Sequence, residues 1–429
     1  MNYFRILEKK IQNKNLKVGV IGLGYVGLPL LIQCIKKNFF VYGFDNDQKK
    51  IDMLQNGKSY IKHINQSEIK KIKSNKIEFT NNFSKIKEPD LLIICLPTPI
   101  KKNLSPDMKF LIGARNYLKK FCREGQIIVL ESTTYPGTCE EIFKPVLDKF
   151  VIGQGVFLGY SPEREDPGNK NFNIENTTKV VSGYTKNCRS LVNDFYSKIT
   201  KKTFLTSNLK VAEMTKLYEN IFRSVNIGLV NEMKLALDKM GINILEVIKA
   251  AKTKPFGFMP FYPGPGLGGH CIPVDPFIMS WKAKKSGART RFIELSGKIN
   301  RKMPELIFKT ILYYLKKVNN PKILIIGLSY KKNIDDARES PSFELIKLFK
   351  NKKIKVDYHD NYFPNIPKMR NYNFNMKSIN LNAKSLKKYT ATVILTDHDY
   401  IDYRLVKKNS KIIFDSRGRF ENSKNIINV

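Results

Sequence analysis

The sequence predicts an α/β fold in which two Rossmann-like, doubly wound parallel-sheet domains are joined by a long central helix and a helical middle domain. Short runs rich in isoleucine, valine and leucine alternate with helical stretches early in the chain, and the same alternation returns after Pro321. Between them lies a long stretch with apolar positions at three- and four-residue spacing. The predicted domain boundaries are 1–207, 208–317 and 318–429.

The first block opens with a strand and turn, KVGVIGLG, followed by a helix, YVGLPLLIQCIKK. Four later segments are predicted as strands: NFFVYGFD, DLLIICLPTP, QIIVLEST and VFLGYSP. Because these apolar runs have no polar face, we expect them to lie in a parallel sheet that helices cover on both faces.

The second block is helical and begins with NLKVAEMTKLYENIFRSVNIGLVNEMKLALDKMG, which Gly241 is expected to end. A helix of this length exceeds the usual globular range. We therefore expect it to extend across two domains and to contribute to a homodimer or a higher homo-oligomer.

The third block repeats the opening of the first. PKILIIGLSY is a strand and turn, SPSFELIKLFKN is a helix, and three further strands are predicted in KIKVDYHD, ATVILTDHDY and KIIFDSRG. The turn keeps one glycine, Gly327, where the first block has three. It is either a degenerate nucleotide-binding turn or a structural echo of the first.

The composition indicates a globular protein with a strongly basic surface. The chain has 429 residues, 42% of them hydrophobic, and a formal net charge of +37. Such a charge is compatible with a nucleic-acid-binding protein. Its lysines are spread along the whole chain without interleaved aromatic residues, so we expect no specific nucleic-acid partner.

Metal, disulfide and membrane sites are not predicted. The six cysteines form no CxxC pair and the four histidines are widely separated, so no metal site is expected. The uncharged run Val18–Ile35 is interrupted by glycines and a proline, which favours a buried strand and helix over a membrane span. The N-terminus has no apolar segment typical of a secretory signal. We therefore expect a cytoplasmic protein.

A dinucleotide-binding signature lies at the first turn. Gly22, Gly24 and Gly27 follow a strand and open a helix, where a tight turn, close approach of a pyrophosphate and close helix packing each favour glycine. Asp45 ends the second strand, at the spacing of the acid that binds ribose hydroxyls and disfavours a 2′-phosphate. This predicts NAD over NADP, although Lys50 lies close by; FAD is the main alternative cofactor.

A cysteine lies in a glycine-rich segment, GPGLGGHCIPVDP, in the second block. Glycines before Cys271 allow the backbone to approach a ligand closely, and Asp275 follows four residues later. A carboxylate at this spacing can hold or deprotonate a water molecule beside the thiol. Together with the dinucleotide signature, the segment predicts an NAD enzyme that forms a covalent bond to its substrate.

Along nearly its full length the chain resembles the UDP-glucose/GDP-mannose dehydrogenase family, with STTYPGT, SPEREDPGN, AEMTKLYEN, GPGLGGHCIPVDP and KKNIDDARESPS in the family's order. The resemblance implies oxidation of the C6 hydroxyl of a nucleotide sugar to a carboxylate with two NAD. KPFGFMPFYPGPGLGGHCIPVDPF is most similar to the subgroup that acts on UDP-N-acetylglucosamine. UDP-glucose, UDP-N-acetylgalactosamine and a mannose sugar remain open as substrates.

The same resemblance implies roles for individual residues. The implied catalytic residues are Cys271 as nucleophile, Lys216 and Asn220 as oxyanion donors, Asp275 and Thr133 around the catalytic water, and Glu163 beside the sugar. The implied cofactor contacts are Gly22, Gly24, Tyr25, Val26, Gly27, Asp45, Lys50, Pro97, Thr98, Thr133 and Arg338. The implied contacts to a UDP-sugar are Glu163, Arg164, Glu165, Lys216, Asn220, Tyr262, Gly264, Gly268, Lys331 and Arg417.

Two other functions compete with this one. A hydroxyacid-type NAD dehydrogenase also combines a Rossmann domain with helices, but it makes a single hydride transfer and needs neither Cys271 nor the third block. A basic nucleic-acid-binding protein would rest on the net charge alone. The release of two NADH per sugar distinguishes the first function from both.

Overall fold

The computed structural model describes residues 1–61, 64–72, 76–164, 172–269, 272–367, 369 and 372–429. They form two compact units, Met1–Glu219 and Asn220–Val429. Cys271 and Glu165, both predicted as site residues, lie outside the described residues. Within the described part of the chain, no helix combines the length and apolar character needed to cross a membrane.

The first unit is built on an eight-stranded sheet with strand order β3-β2-β1-β4-β5-β6-β7-β8. Its strands are β1 (Lys17–Ile21), β2 (Phe40–Phe44), β3 (Ile77–Thr80), β4 (Leu91–Ile94), β5 (Gln126–Leu130), β6 (Val156–Tyr160), β7 (Lys179–Gly183) and β8 (Thr203–Leu205). Its helices are α1 (Tyr3–Gln12), α2 (Gly27–Lys36), α3 (Gln48–Gln55), α4 (Gln66–Ile72), α5 (Lys109–Phe121), α6 (Lys144–Leu147) and α7 (Lys186–Ile199). A 3₁₀ turn at Phe83–Lys87 and a π turn at Cys139–Phe143 complete it.

The predicted doubly wound architecture is confirmed in this unit. Strands β4, β5 and β6 are buried along their whole length, as expected for strands covered on both faces. The order of the first six strands is that of a dinucleotide-binding fold. The structure differs at the far edge, where β7 runs antiparallel to β6 and β8 is parallel to β7. The sequence analysis predicted neither β3, β7 nor β8 as strands, and β8 is short and mostly exposed.

The predicted long helix is α8 (Leu209–Lys239), which has 31 residues and begins in the first unit and ends in the second. Gly241 follows it with a φ of 71°, a left-handed conformation that suits glycine after a helix.

The second unit contains a five-stranded parallel sheet with strand order β10-β9-β11-β12-β13. Its strands are β9 (Lys322–Ile326), β10 (Lys355–His359), β11 (Ala391–Ile394), β12 (Ile413–Asp415) and β13 (Ile426–Asn428). Its helices are α9 (Ile244–Ala251), α10 (Asp275–Lys285), α11 (Arg291–Tyr314), α12 (Pro341–Asn351), α13 (Ala383–Leu386) and α14 (Tyr403–Asn409). One apolar core lies between the sheet and α11 and α12, and a second one includes residues of the sheet, α13 and α14.

Two glycines let helix α7 approach the junction of β6 and β7 closely. Gly159 and Gly183 are paired across these strands. A Cβ at Gly159 would lie 2.4 Å from Val192 Cγ2, and one at Gly183 would lie 2.2 Å from the backbone nitrogen of Arg189. The pair therefore sets how closely α7 packs on the strands that carry Lys179 and Tyr160.

We expect Gly183→Ala to lower the free energy of unfolding by about 1–3 kcal/mol, the usual cost of overpacking, because the added Cβ meets backbone atoms that cannot rotate away. Urea denaturation measures the change. Gly113→Ala on α5 is the matched control, because its Cβ would meet nothing within 4 Å. The control is expected to leave stability unchanged or to raise it by up to about 1 kcal/mol. Equal stabilities of both variants would contradict the packing argument.

Candidate active site

The turn after β1 has the shape of a dinucleotide-binding turn. Gly22 has a φ of 93°, and a Cβ there would lie 2.7 Å from the carbonyl oxygen of Cys95. A Cβ at Gly27 would lie 1.9 Å from the carbonyl oxygen of Gly22, whereas one at Gly24 would meet nothing within 4 Å. Packing within the protein thus requires glycine at the first and third positions. The second leaves space beside the first turn of α2, where unpaired N–H groups favour an anion.

Asp45 is buried at the end of β2 and stabilises this turn. Its carboxylate accepts hydrogen bonds from the backbone N–H groups of Leu23 and Asp47, each at 3.0 Å, and pairs with Lys50 Nζ at 3.2 Å. A carboxylate has about four acceptor positions, so capacity remains for a ribose hydroxyl. The residues present fit an NAD ribose, and Lys50 partly neutralises the charge that disfavours a 2′-phosphate.

The other predicted cofactor contacts of the first unit lie around the same edge of the sheet. Tyr25 and Val26 are half-buried and pack against the core. Thr98 Oγ1 donates a hydrogen bond to the carbonyl oxygen of Thr133 at 2.5 Å, and Pro97 beside it is exposed. This bond joins the segments after β4 and β5, which brings Thr98 and Thr133 together.

A buried ion-pair cluster lies at the ends of β5, β6 and β7. Lys179 Nζ lies 3.1 Å from Glu131 Oε1 and 2.8 Å from Glu163 Oε2, and the Lys179 side chain is 4% exposed. The backbone N–H of Arg164 donates to Glu163 Oε1 at 2.6 Å. Glu163 is therefore held at two oxygens, and its carboxylate belongs to a cluster that the sequence did not predict.

Arg164 has a structural role that the sequence did not predict. Its guanidinium donates to the carbonyl oxygen of Thr178 at 2.7 Å and pairs with Glu219 of α8, also at 2.7 Å. The side chain thus links the segment before β7 to the helix. A contact to substrate stays a prediction.

Helix α8 carries two buried charged residues of the first unit. Glu213 accepts hydrogen bonds from the backbone N–H groups of Gly137 at 2.5 Å and Cys139 at 2.9 Å, which holds the loop that contains Thr133. Lys216 is 8% exposed and makes no hydrogen bond or ion pair with the described residues. A buried ammonium without a partner is costly, so this charge is suited to meet an anion that is not part of the chain.

In the second unit, the structure brings Asn220 and Asp275 together. Asn220 is fully buried, and its amide donates a hydrogen bond to the buried carboxylate of Asp275 at the start of α10. Its carbonyl oxygen accepts from the guanidinium of Arg223. The predicted oxyanion donor is therefore also the residue that orients Asp275, and one amide N–H remains available to a ligand.

The described glycines of the glycine-rich segment lie close to other parts of the second unit. A Cβ at Gly264 would lie 3.0 Å from the guanidinium of Arg417, and one at Gly268 would lie 2.3 Å from Cβ of Tyr330. The backbone N–H of Gly269 donates to the carbonyl oxygen of Arg338 at 2.8 Å. These glycines thus approach side chains around the second sheet, and their approach to a ligand stays a prediction.

The remaining predicted contacts of the second unit differ in exposure. Tyr262 is 54% exposed, and Lys331 and Arg417 are half-buried. Arg417 Nε donates to the carbonyl oxygen of Leu395 at 2.6 Å. Arg338 is exposed and forms a two-pronged pair with Asp336, with Nη2 2.6 Å from the carboxylate. Contacts of these residues to cofactor or substrate stay predictions.

The five described cysteines are all buried: Cys34, Cys95, Cys122, Cys139 and Cys188. Burial raises the pKa of each thiol, to about 11 for Cys122 and well above the ordinary value for Cys95 and Cys139. None therefore presents a thiolate at neutral pH. Within the described ranges, no group of three or more His, Cys, Asp or Glu side chains is arranged to hold a metal ion.

Sequence reasoning missed four residues that hold predicted site residues or the segments around them: Glu131, Lys179 and Glu213 in the first unit and Arg223 in the second. A charged residue directly beside a buried apolar run was the available signal for the first two, because LESTT and TTKVVSG place an ionisable group at a strand end. Glu213 lies one turn before Lys216 on α8. Its buried position follows only from the tertiary fold.

Comparison with known proteins places matches along the whole chain. Models of the UDP-glucose/GDP-mannose dehydrogenase family match it with the NAD-binding domain at 16–200, the central domain at 210–302 and the UDP-binding domain at 324–422. The UDP-N-acetyl-D-glucosamine 6-dehydrogenase of Pseudomonas aeruginosa is 37% identical over 81% of this chain and 83% of its own. The UDP-N-acetyl-D-mannosamine dehydrogenase of Methanococcus maripaludis is 30% identical over 95% and 94%. A solved structure of UDP-D-ManNAc dehydrogenase from Pyrococcus horikoshii has a TM-score of 0.85 at 29% identity, covering 95% of this chain and 97% of that one.

We expect substitutions at Asp45 and Lys50 to change cofactor preference in opposite directions. Asp45→Asn keeps an acceptor for the N–H of Leu23 but removes the charge, so the ratio of NAD to NADP affinity should fall about tenfold, or about 1.4 kcal/mol. Lys50→Met leaves the carboxylate without its ion pair, so the ratio should rise. Titration calorimetry with each cofactor measures both. An unchanged ratio in the two variants would remove this pair from the cofactor site.

Proposed function

Because this chain belongs to the UDP-glucose/GDP-mannose dehydrogenase family and is thus an NAD-dependent nucleotide-sugar dehydrogenase, we propose that it oxidises the C6 hydroxyl of UDP-N-acetylglucosamine to a carboxylate, for use as a precursor of surface polysaccharide. The observation that carries the proposal is Lys216 of the first unit, a buried cation with no hydrogen bond or ion pair among the described residues. In the second unit, the amide of Asn220 holds the buried carboxylate of Asp275. A positive charge and a held carboxylate are what an alcohol oxidation followed by hydrolysis needs.

In the proposed reaction the carbon at C6 loses two hydrides in succession, and bound NAD supplies the acceptor for each. Removal of the first hydride and the hydroxyl proton gives an aldehyde. The Cys271 thiolate adds to the aldehyde carbon, and loss of the second hydride leaves a thioester. A water molecule then cleaves the carbon–sulfur bond, which releases the carboxylate and restores the thiol.

The proposed nucleophile rests on the sequence motif around Cys271 and on the state of the other thiols. The five described cysteines are buried with raised pKa values, so none competes for this role. Asp275, four residues after Cys271, is buried and receives the amide of Asn220. We assign to Asp275 the task of holding the hydrolytic water.

Lys216 is proposed to stabilise the oxygen at C6 when it carries negative charge. Both the thiolate adduct and the tetrahedral intermediate of hydrolysis place such a charge on this atom. An ammonium in a site from which water is largely excluded stabilises it more strongly than a solvated lysine would. Asn220 contributes its remaining N–H and keeps Asp275 in place.

The identity of the sugar is the most specific part of the proposal. The Pseudomonas relative and the segment from Lys254 to Phe277 favour N-acetylglucosamine. N-acetylmannosamine is the second candidate, because the Methanococcus relative and the Pyrococcus structure carry that name. The two sugars differ only in configuration at C2, so the same residues serve either one.

The apolar surface of α8 supports a homodimer. Tyr218, Phe222, Leu229 and Met233 lie on one face of the helix and are each more than 40% exposed. Such a stripe on a long helix is typical of a subunit interface. The dimer stays a prediction, and a monomer in sedimentation velocity would contradict it.

Incubation of the purified protein and NAD with a panel of UDP-sugars tests the function. We expect two NADH per sugar consumed and the highest kcat/KM with UDP-N-acetylglucosamine. Cys271→Ser should bind NAD normally but form no uronate, because a serine hydroxyl is not a thiolate at neutral pH. One NADH per sugar in the wild type would indicate a single-step dehydrogenase. A higher kcat/KM with UDP-N-acetylmannosamine would select the second candidate.

We expect Lys216→Met to lower kcat by about 10²–10³, the usual cost of losing one oxyanion donor, with a smaller change in KM. The same variant should be as stable as the wild type or more stable, because it removes a buried charge that has no partner among the described residues. Lys210→Met is the matched control: this lysine of α8 is 57% exposed and pairs with Glu140 at 3.0 Å. Normal kcat in Lys216→Met would contradict the assigned role.

A further inference from the structure

The cluster of Glu131, Lys179 and Glu163 contains two groups that the proposed function does not use. Lys179, the first residue of β7, bridges Glu131 after β5 and Glu163 after β6. Tyr196 of α7 donates a hydrogen bond to Glu131 Oε1 at 2.5 Å, and its ring centroid lies 5.5 Å from Lys179 Nζ. The cluster thus joins three strand ends and a helix at the edge of the sheet where the cofactor turn lies.

The hydrogen bonds of the two carboxylates are unequal. Both oxygens of Glu163 are held, one by Lys179 and one by the backbone N–H of Arg164. Glu131 Oε2 is buried and has no hydrogen-bond partner among the described residues. A buried carboxylate with an unsatisfied oxygen is the less stable of the two as an anion. When a proton enters the cluster, Glu131 is therefore the member that takes it.

The charges of the cluster agree with this order. Burial raises the pKa of Glu131 to about 7, and Lys179 only partly offsets it. Burial lowers the pKa of Lys179, but the two glutamates together raise it above its ordinary value, so the ammonium persists. The other groups that face the cluster are Tyr196, Cys95 and Cys34, and burial raises the pKa of each, so they are neutral at pH 7.

We propose that Lys179 is a positioning residue that fixes the charge and orientation of the Glu163 carboxylate, and that the charge of Glu131 determines how strongly Lys179 interacts with Glu163. The inference rests on the proposed function in one respect, that Glu163 lies beside the reacting sugar. As pH falls through about 7, Glu131 takes a proton and stops competing for Lys179. Glu163 is then the single anionic partner of the ammonium, so it stays ionised in mildly acidic solution.

Different responses of two variants test the inference. Lys179→Met removes the cation, so the ionisation of Glu163 should move to higher pH, by about one unit for a tenfold weaker stabilisation. Glu131→Gln carries the neutral side chain that the wild type already has when Glu163 titrates, so the ionisation of Glu163 should stay in place, while the protonation step near pH 7 should disappear. Lys179→Arg should restore the wild-type position. Lys37→Met is the matched control, since Lys37 pairs with Glu175 and does not touch the cluster.

Two readouts separate this inference from the proposed function. The pH dependence of kcat/KM between pH 5 and 9 reports, on its acidic side, the ionisation of Glu163 during turnover. Carbon NMR of side-chain-labelled glutamate, assigned with Glu163→Gln, reports the same ionisation without turnover.

If Lys179→Met fails to fold, the double variant Glu131→Gln/Lys179→Met removes one charge of each sign and should give the same upward shift. An upward shift of the Glu163 titration in Lys179→Met, with an unmoved Glu163 titration in Glu131→Gln, establishes the positioning role, whether or not the wild type oxidises a sugar. A uniform loss of kcat in Lys179→Met, with an unmoved pH profile and an unmoved NMR titration of Glu163, would overturn it.

Discussion

The candidate active site of the first unit depends on the buried carboxylate of Glu213. A parallel sheet brings strand ends to one edge, but it does not fix the loops that follow them. Glu213 fixes one of these loops by accepting the N–H groups of Gly137 and Cys139, so Thr133 and Lys216 are held on connected elements. Burial raises the pKa of Glu213 to about 7, and the two backbone bonds oppose that rise. Without the carboxylate, both N–H groups would be buried and unpaired, which costs more than the bonds are worth in water.

The turn after β9 in the second sheet has the same conformation as the turn after β1. The acid that it contacts, however, is bonded to other side chains of the protein. Gly327 has a φ of 89°, and the N–H after it donates to Asp360 at 2.7 Å, just as the turn after β1 donates to Asp45. Asp360 also receives His398 Nε2 at 3.2 Å and the hydroxyl of Tyr400 at 3.3 Å. These side chains occupy the acceptor positions that Asp45 leaves available. The geometry therefore favours the structural echo over a second dinucleotide turn, which agrees with the loss of the other two glycines.

The sequence predicted the features that arise from local pattern. Helix α8 follows from apolar spacing, and the buried strands follow from uninterrupted isoleucine, valine and leucine. The three glycines at the first turn follow from backbone constraints that any residue with a Cβ would violate at two of them. The direction of β7 and the role of the glycines near Cys271 depend on contacts between distant segments. Gly268, for example, is fixed by Tyr330, which is 62 positions away in the sequence and has no local signature.

Two buried lysines of the first unit indicate where stability and activity diverge. Lys179 is compensated by two carboxylates, so its burial costs little and its removal would leave unpaired charge. Lys216 has the same charge and similar burial but no partner among the described residues. Folding gains nothing from such a group, and a methionine of similar volume would pack there without a penalty for desolvated charge. The role proposed for Lys216 accounts for this cost: a cation without a partner among the described residues is preorganised for negative charge that arises only during reaction, and part of the stability of the free protein is given up for it.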